Sequence, residues 1–282
     1  MNGTTTAQLA EKTAKAVTGS VEEWTGFLQS AARLYKYSYP EQLLIYAQRP
    51  DATACASYEI WNQTMRRYVR RGARGIALPD GAGAVRYVFD VADTGARKSS
   101  REVKTWALDE NNREAVAHAL ETQYGSAAKL GIAGQLEEIA MQQSMDYWQW
   151  HQDELRGIVD GSFLEGYDEL NLEIAFRNTA AASVKYMLLS RCNLAREHQI
   201  EPEELAGVLE WNTPAASGAL GSAISEMSEG VLRQIERTIR QYERSQNHDE
   251  RTDVYEERRV LDSRSDSSRT ADGAEQIRTD AG

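Results

Sequence analysis

The chain has 282 residues, 41% of them hydrophobic and 27% charged, which accommodates one large or two modest domains with a packed core. Its formal net charge of −11 excludes a protein whose whole surface coats nucleic acid, because non-specific DNA affinity comes from Lys and Arg neutralising phosphates. No run approaches the ~18 consecutive apolar residues of a membrane helix, and Met1 to Ala16 lacks the basic flank and apolar centre of a secretory signal, so a cytoplasmic protein without a membrane partner is expected.

Residues 1–20 are rich in Thr, Ala and Gly and read as a mobile or loosely helical leader. Trp24, Phe27, Leu28, Ala31 and Tyr35 then fall on one stripe, which predicts a helix over 21–35 with Trp24 and Phe27 in the core. Ser38-Tyr39-Pro40-Glu41 has capping-box spacing and starts a second helix over 39–48. After Pro50 the period changes from 3.6 to 2. A short helix over 57–64 leads into strand-like runs at 67–70, 75–78 and 85–91, and Asp80-Gly81-Ala82-Gly83 supplies the turn of a hairpin over 75–91. Gly95 to Arg101 reads as a basic connector, with a further strand-like fragment at 103–108.

From there the pattern is helical, with candidates at 112–124, 134–158, 169–192, 202–209 and 227–246. In the last, Met227, Val231, Ile235, Ile239 and Tyr242 form an apolar stripe. Beyond Ser245 apolar residues nearly vanish, and 249–282 carries six arginines against ten acids, so disorder is expected there. The absence of a closing structural signal reads as the front portion of a longer protein. The expected class is α+β: a leader (1–20), a helix-helix-antiparallel-sheet domain (21–108), a mainly helical domain (109–246) and a disordered acidic tail (247–282).

The most informative stretch holds Arg66, Arg67, Arg70, Arg71 and Arg74 with no acid between Glu59 and Asp80. From Arg33 to Arg74 there are eight basic residues against three acids, interleaved with Tyr35, Tyr37, Tyr39, Tyr46, Tyr58, Trp61 and Tyr68. Arginine with flat rings suits single-stranded nucleic acid, because bases stack on aromatic faces for ~1–3 kcal/mol each while guanidiniums track phosphates. Gly72 and Gly75 would let the backbone turn and approach a strand closely. The same residues also fit a solvated edge strand over half-buried tyrosines, and Trp61 suits core and platform equally.

Trp24-x-x-Phe27-Leu28, Tyr35-Lys36-Tyr37-Ser38, the run Leu43 to Thr53, Trp61, the run Val69 to Ile76 and Val88-Phe89-Asp90-Val91-Ala92-Asp93-Thr94 occur in one order. Together they resemble the N-terminal domain of the ArdC antirestriction family, over about residues 21–94. The resemblance implies a single-stranded DNA-binding module of a conjugative or other mobile element, with Arg49, Trp61, Arg66, Arg67, Tyr68, Arg70, Arg71 and Arg74 as candidate contacts. Glu41-Gln42 stands where the family has an Asn, and the segment before Val69 is more basic than usual. The stretches Ala182 to Cys192 and Asn212 to Ala215 are similar to the front of large conjugative-element proteins, which implies helicase or methylase domains as partners.

Many relatives of ArdC carry a zinc peptidase domain, whose H-E-x-x-H signature is missing here: His118, His151, His198 and His248 lie at least thirty residues apart. No catalytic residue, metal or cofactor is expected. A scaffold that docks a helicase or methylase, and a degenerate zincin-like peptidase domain, are the competing readings. The other constellations have plainer explanations. Cys55 and Cys192 form no C-x-x-C pair and are expected reduced and buried. Cys192 with His198 reads as structural, Asp90 and Asp93 as a strand-end cap rather than metal ligands, Gly81-x-Gly83 as an incomplete phosphate loop and His151 to Glu154 as a solvated helix face.

Overall fold

A computed structural model of the protein describes residues 2–81, 83–195 and 200–275, with side chains as far as 246. The chain is α+β, with a small antiparallel sheet near its beginning and helices around and after it. Among the described residues, no helix is long and apolar enough to cross a membrane.

The segment expected to be a leader forms α1 (Gly3–Val17), capped by Asn2, whose side chain accepts from the Thr5 N–H. Its buried face consists of Thr6, Thr13, Ala14 and Val17, so a stripe of mixed polarity hid the helix from a hydropathy pattern. Helix α2 (Val21–Arg33) buries Trp24, Phe27, Leu28 and Ala31 as expected. Helix α3 (Tyr39–Gln48) has the predicted bounds, because Ser38 and Glu41 form the capping box and Pro40 sits in the first turn.

Strand β1 (Cys55–Ser57) ends on the first residue of the segment expected to be helical, and 58–64 is helical, its last five residues a π-helical turn, Ile60–Thr64. Strands β3 (Ile76–Asp80) and β4 (Ala84–Asp90) make the predicted hairpin, with Gly81 and Gly83 at φ +50° and +79°. The three-stranded sheet has the order β1-β4-β3. Its inner face, Ile76, Leu78 and Val88, packs on Leu34, Leu44 and Ile45. A separate pair joins β2 (Tyr68–Val69) to β5 (Thr94–Gly95). Residues 103–108 form no strand, although Trp106 is buried.

An arginine and two aspartates tie these elements together. Arg49, at the end of α3, pairs with Asp93 at 2.5 Å. Asp90 accepts from the N–H groups of Thr53 at 2.7 Å, Ala54 at 3.0 Å and Ala92 at 2.8 Å, so it caps the turn that leaves β4.

Helices α4 (Arg113–Tyr124), α5 (Gly131–Ile158), α6 (Glu169–Arg191), α7 (Pro202–Leu205) and α8 (Pro214–Glu275) follow. Their hydrophobic core is continuous with α2: Trp24, Phe27, Phe176, Trp211 and Ile239 belong to one cluster. The boundary expected at 108/109 is therefore not a break in the core. Tyr39 of α3 lies so close to Gly221 of α8 that a Cβ there would sit 2.2 Å from its ring. Helix α8 extends to Glu275, and no side chain of the segment expected to be disordered, 247–282, is among those described. Residues 276–282 lie outside the described residues.

Candidate nucleic-acid interface

Trp61 is buried, and its Nε1–H donates to the Phe89 carbonyl at 2.8 Å. It pins the π-helical turn to β4 and has no face to offer a base, which corrects its expected role as a stacking platform. Arg66 follows at φ +54°, the left-handed region uncommon for side-chain-bearing residues. Its carbonyl accepts from Ser100 Oγ at 2.7 Å, while the Arg101 N–H donates to the Met65 carbonyl at 2.9 Å. The Arg70 N–H donates to the Asp93 carbonyl at 2.8 Å.

Together with the β2–β5 pairing, these bonds bring residues 93–101 alongside 65–70. Arg97, Lys98 and Arg101, read from sequence as part of a connector, therefore extend the basic strip. The basic composition of 95–101 was a usable signal; its pairing partner was not.

The candidate arginines divide into three sets. Arg66, Arg71 and Arg74 are exposed, and their side chains have no partner among the described residues. Arg67 donates to Thr94 Oγ1 at 2.7 Å and Arg70 to the Ala92 carbonyl at 3.2 Å, which holds both guanidiniums in place without neutralising them. Arg49 differs, because its bond to Asp93 holds its pKa above the ordinary arginine value and its charge is already balanced. It is a structural tie and drops out of the interface.

The aromatics divide similarly. Tyr35 and Tyr39 are buried, the Tyr37 O–H donates to the Cys55 carbonyl at 2.8 Å, and Tyr46 packs edge-on against Phe27. Tyr58 and Tyr68 remain exposed, at 53% and 42%. Tyr87 of β4 joins them at 46%, on the sheet face opposite Val88. Tyr58 meets Phe89, which shares that face, with ring centroids 6.5 Å apart. A Cβ on Gly75 would sit 3.0 Å from Tyr87 Cδ1 and 3.2 Å from Phe89 Cζ, so the backbone after Arg74 passes directly against these rings. The Tyr68 ring lies on Gly95, with the Arg97 guanidinium 5.6 Å from its centroid. Tyr87 was legible only through the hairpin register, since its surrounding strand carries a single arginine.

The remaining candidate chemistries resolve into structure. Burial pushes the thiols of Cys55 and Cys192 up to about 12, far from a reactive thiolate, and Cys192 is buried whereas Cys55 is half-buried. The His151 ring stacks on Tyr147 at 3.9 Å, so it is more than a solvated face residue. His198 lies outside the described residues. Among the described residues, no group of three His, Cys, Asp or Glu side chains is placed to hold a metal ion. Comparison with protein-family models, curated proteins and solved structures finds no match to this chain.

Proposed function

We propose that the strip formed by Met65 to Arg74, residues 94–101 and the outer face of β4 binds single-stranded DNA, and that the protein acts there without a catalytic centre of its own. The observation that carries this reading is that three exposed tyrosines lie along the basic stretch, Tyr68 within it and Tyr87 and Tyr58 on the side of β4 that Gly75 passes, while Arg66, Arg71 and Arg74 have no acidic partner among the described residues. Base faces are available to such rings only in an unpaired strand, because in a duplex they stack on one another. Guanidiniums beside the rings would meet the phosphates between successive bases.

The chain's net charge of −11 confines the attraction to this strip. The resemblance to the ArdC N-terminal domain supports the same reading, and extends it to an antirestriction-like role in a conjugative or other mobile element, with helicase or methylase domains of that element as partners. The test is fluorescence anisotropy with a labelled single strand and the corresponding duplex at moderate salt. The single strand binds more tightly and with little sequence preference if the reading holds; equal affinity for the two forms refutes it.

A further inference from the structure

Helix α6 packs against α2, α5 and α8 and, towards its end, α7, yet Asn171, Ile174 and Asn178 on one face stay exposed. Asn171, Ile174, Ala175, Asn178, Ala182 and Lys185 fall on it at i, i+3, i+4, i+7, i+11 and i+14. They floor a groove of about 600 Å³. One wall is α5, presenting Met141, and the other is α7 with the turn Ala206–Glu210. From Asn171 to Asn178 the open floor runs about 10 Å at 1.5 Å per residue, the span of side chains at i to i+7 of a docked helix, and beyond it Lys185 bridges Glu137 of one wall and Glu204 of the other.

The floor's small side chains at Ala175 and Ala182 permit close approach, while Ile174 and Met141 are 46% and 51% exposed. Leu170 and Met145 continue the apolar surface beyond the groove. The rim has the opposite character. Glu137, Glu203, Glu204 and Glu210 line it against one ammonium, Lys185, whose Nζ is held at 2.9 Å by Glu137 and 3.2 Å by Glu204. A mixed floor of amide and small side chains, with Ile174 and Met141 as its exposed apolar points, under an acidic rim fits an amphipathic helix with apolar anchors at i, i+3 or i+4 and i+7 and basic flanks.

We infer that this groove docks a basic amphipathic helix of a partner polypeptide. A second copy of this face is disfavoured as occupant, since it would set carboxylates against carboxylates. The adaptable thioethers of Met141 and Met145 suit a surface that must fit a partner's side chains. The inference is independent of DNA binding, which involves a different part of the fold.

The test is fluorescence polarisation of the full chain with a labelled amphipathic peptide of about eighteen residues built from leucine and lysine. The same pattern in leucine and glutamate serves as control. The lysine peptide should bind saturably. Asn178→Trp, which fills the groove from an exposed position, and the pair Glu203→Lys and Glu210→Lys should each weaken it about tenfold or more. Unchanged melting temperatures would show that the variants stay folded. Absence of saturable binding overturns the inference, as does a lysine peptide indifferent to Asn178→Trp or a glutamate peptide that binds equally well. A dimer in sedimentation that Asn178→Trp dissociates also overturns it, by making a second copy the occupant.

Discussion

The indole N–H of Trp24 donates to Ser183 Oγ at 3.0 Å, joining two buried residues 159 positions apart in the chain. Trp24 is the first residue of the stripe that marks α2, and Ser183 lies on α6, well inside the region expected to be a separate helical domain. The face of α2 that the sequence marks as core is thus completed by α6.

A fragment of residues 1–108 should therefore not fold independently, because it would leave Trp24 and Phe27 uncovered. Thermal denaturation followed by circular dichroism should show no cooperative transition for the fragment, whereas the full chain melts sharply. In the full chain, Trp24→Ala should cost about 3–5 kcal/mol. A cooperative transition in the fragment would place the core boundary where the sequence suggests.

Gln48 should act as a seal on the outer edge of β3. Its Nε2–H donates to the Ala77 carbonyl at 3.0 Å and its Oε1 accepts from the Ala77 N–H at 3.0 Å, so one side chain satisfies both backbone groups that β4 leaves free. Ala77 is buried, and Gln48→Ala should destabilise the protein by about 1–3 kcal/mol while removing a barrier to edge-to-edge pairing. Chemical denaturation measures the first effect and light scattering the second. A change within a few tenths of a kcal/mol would mean that water replaces the amide.

Acid stability should depend on Glu236. Burial pushes its pKa up, but hydrogen bonds from Lys36, Tyr35 and Arg240 outweigh that and hold it at about 2, below the ordinary 4.5. Tyr35 donates at 2.5 Å and Lys36 Nζ lies at 2.6 Å, while Trp106 in turn donates to Tyr35 at 3.1 Å. Since the folded value is depressed, the stabilisation is fully present above about pH 4.5 and is lost as pH falls towards 2. Lys36 and Arg240 are nearly half exposed, so solvent screening reduces the contribution to on the order of 2 kcal/mol. Glu236→Gln should be less stable at pH 7 and show a flatter stability profile between pH 5 and 2; a wild-type profile already flat there would rule the network out.

Trp61 and Tyr87 should separate stability from binding. Trp61→Phe loses the bond to the Phe89 carbonyl and should cost about 1 kcal/mol of stability with DNA affinity retained. Tyr87→Ala, on the exposed sheet face, should leave the melting temperature nearly unchanged and weaken single-strand binding by about 1–3 kcal/mol. The reverse pattern in paired melting and anisotropy measurements would return the platform to Trp61.

Local chemistry made much of the fold legible. The Ser38–Glu41 box set the start of α3, Gly81 and Gly83 set the hairpin, and the stripe from Met227 to Ile239 set the buried face of α8. What escaped depends on distant partners. Strand β1 has three residues and no alternation, and β2 and β5 have two each and exist only through one another. The same holds for the site: five clustered arginines were visible, but which rings lie beside them was decided by burial. Trp61 turned inward against β4, and Tyr87 outward on it.

The most direct measurement of single-strand binding is its salt dependence. Each phosphate contact to a single strand contributes roughly 0.7 to the slope of log affinity against log salt. Replacing both Arg71 and Arg74 by Ala should lower that slope by about 1.4, whereas Lys129→Ala, an exposed charge removed from the turn before α5, should leave it unchanged. A wild-type affinity that is flat with salt, or a double variant with the wild-type slope, would contradict binding of a nucleic-acid strand along this strip.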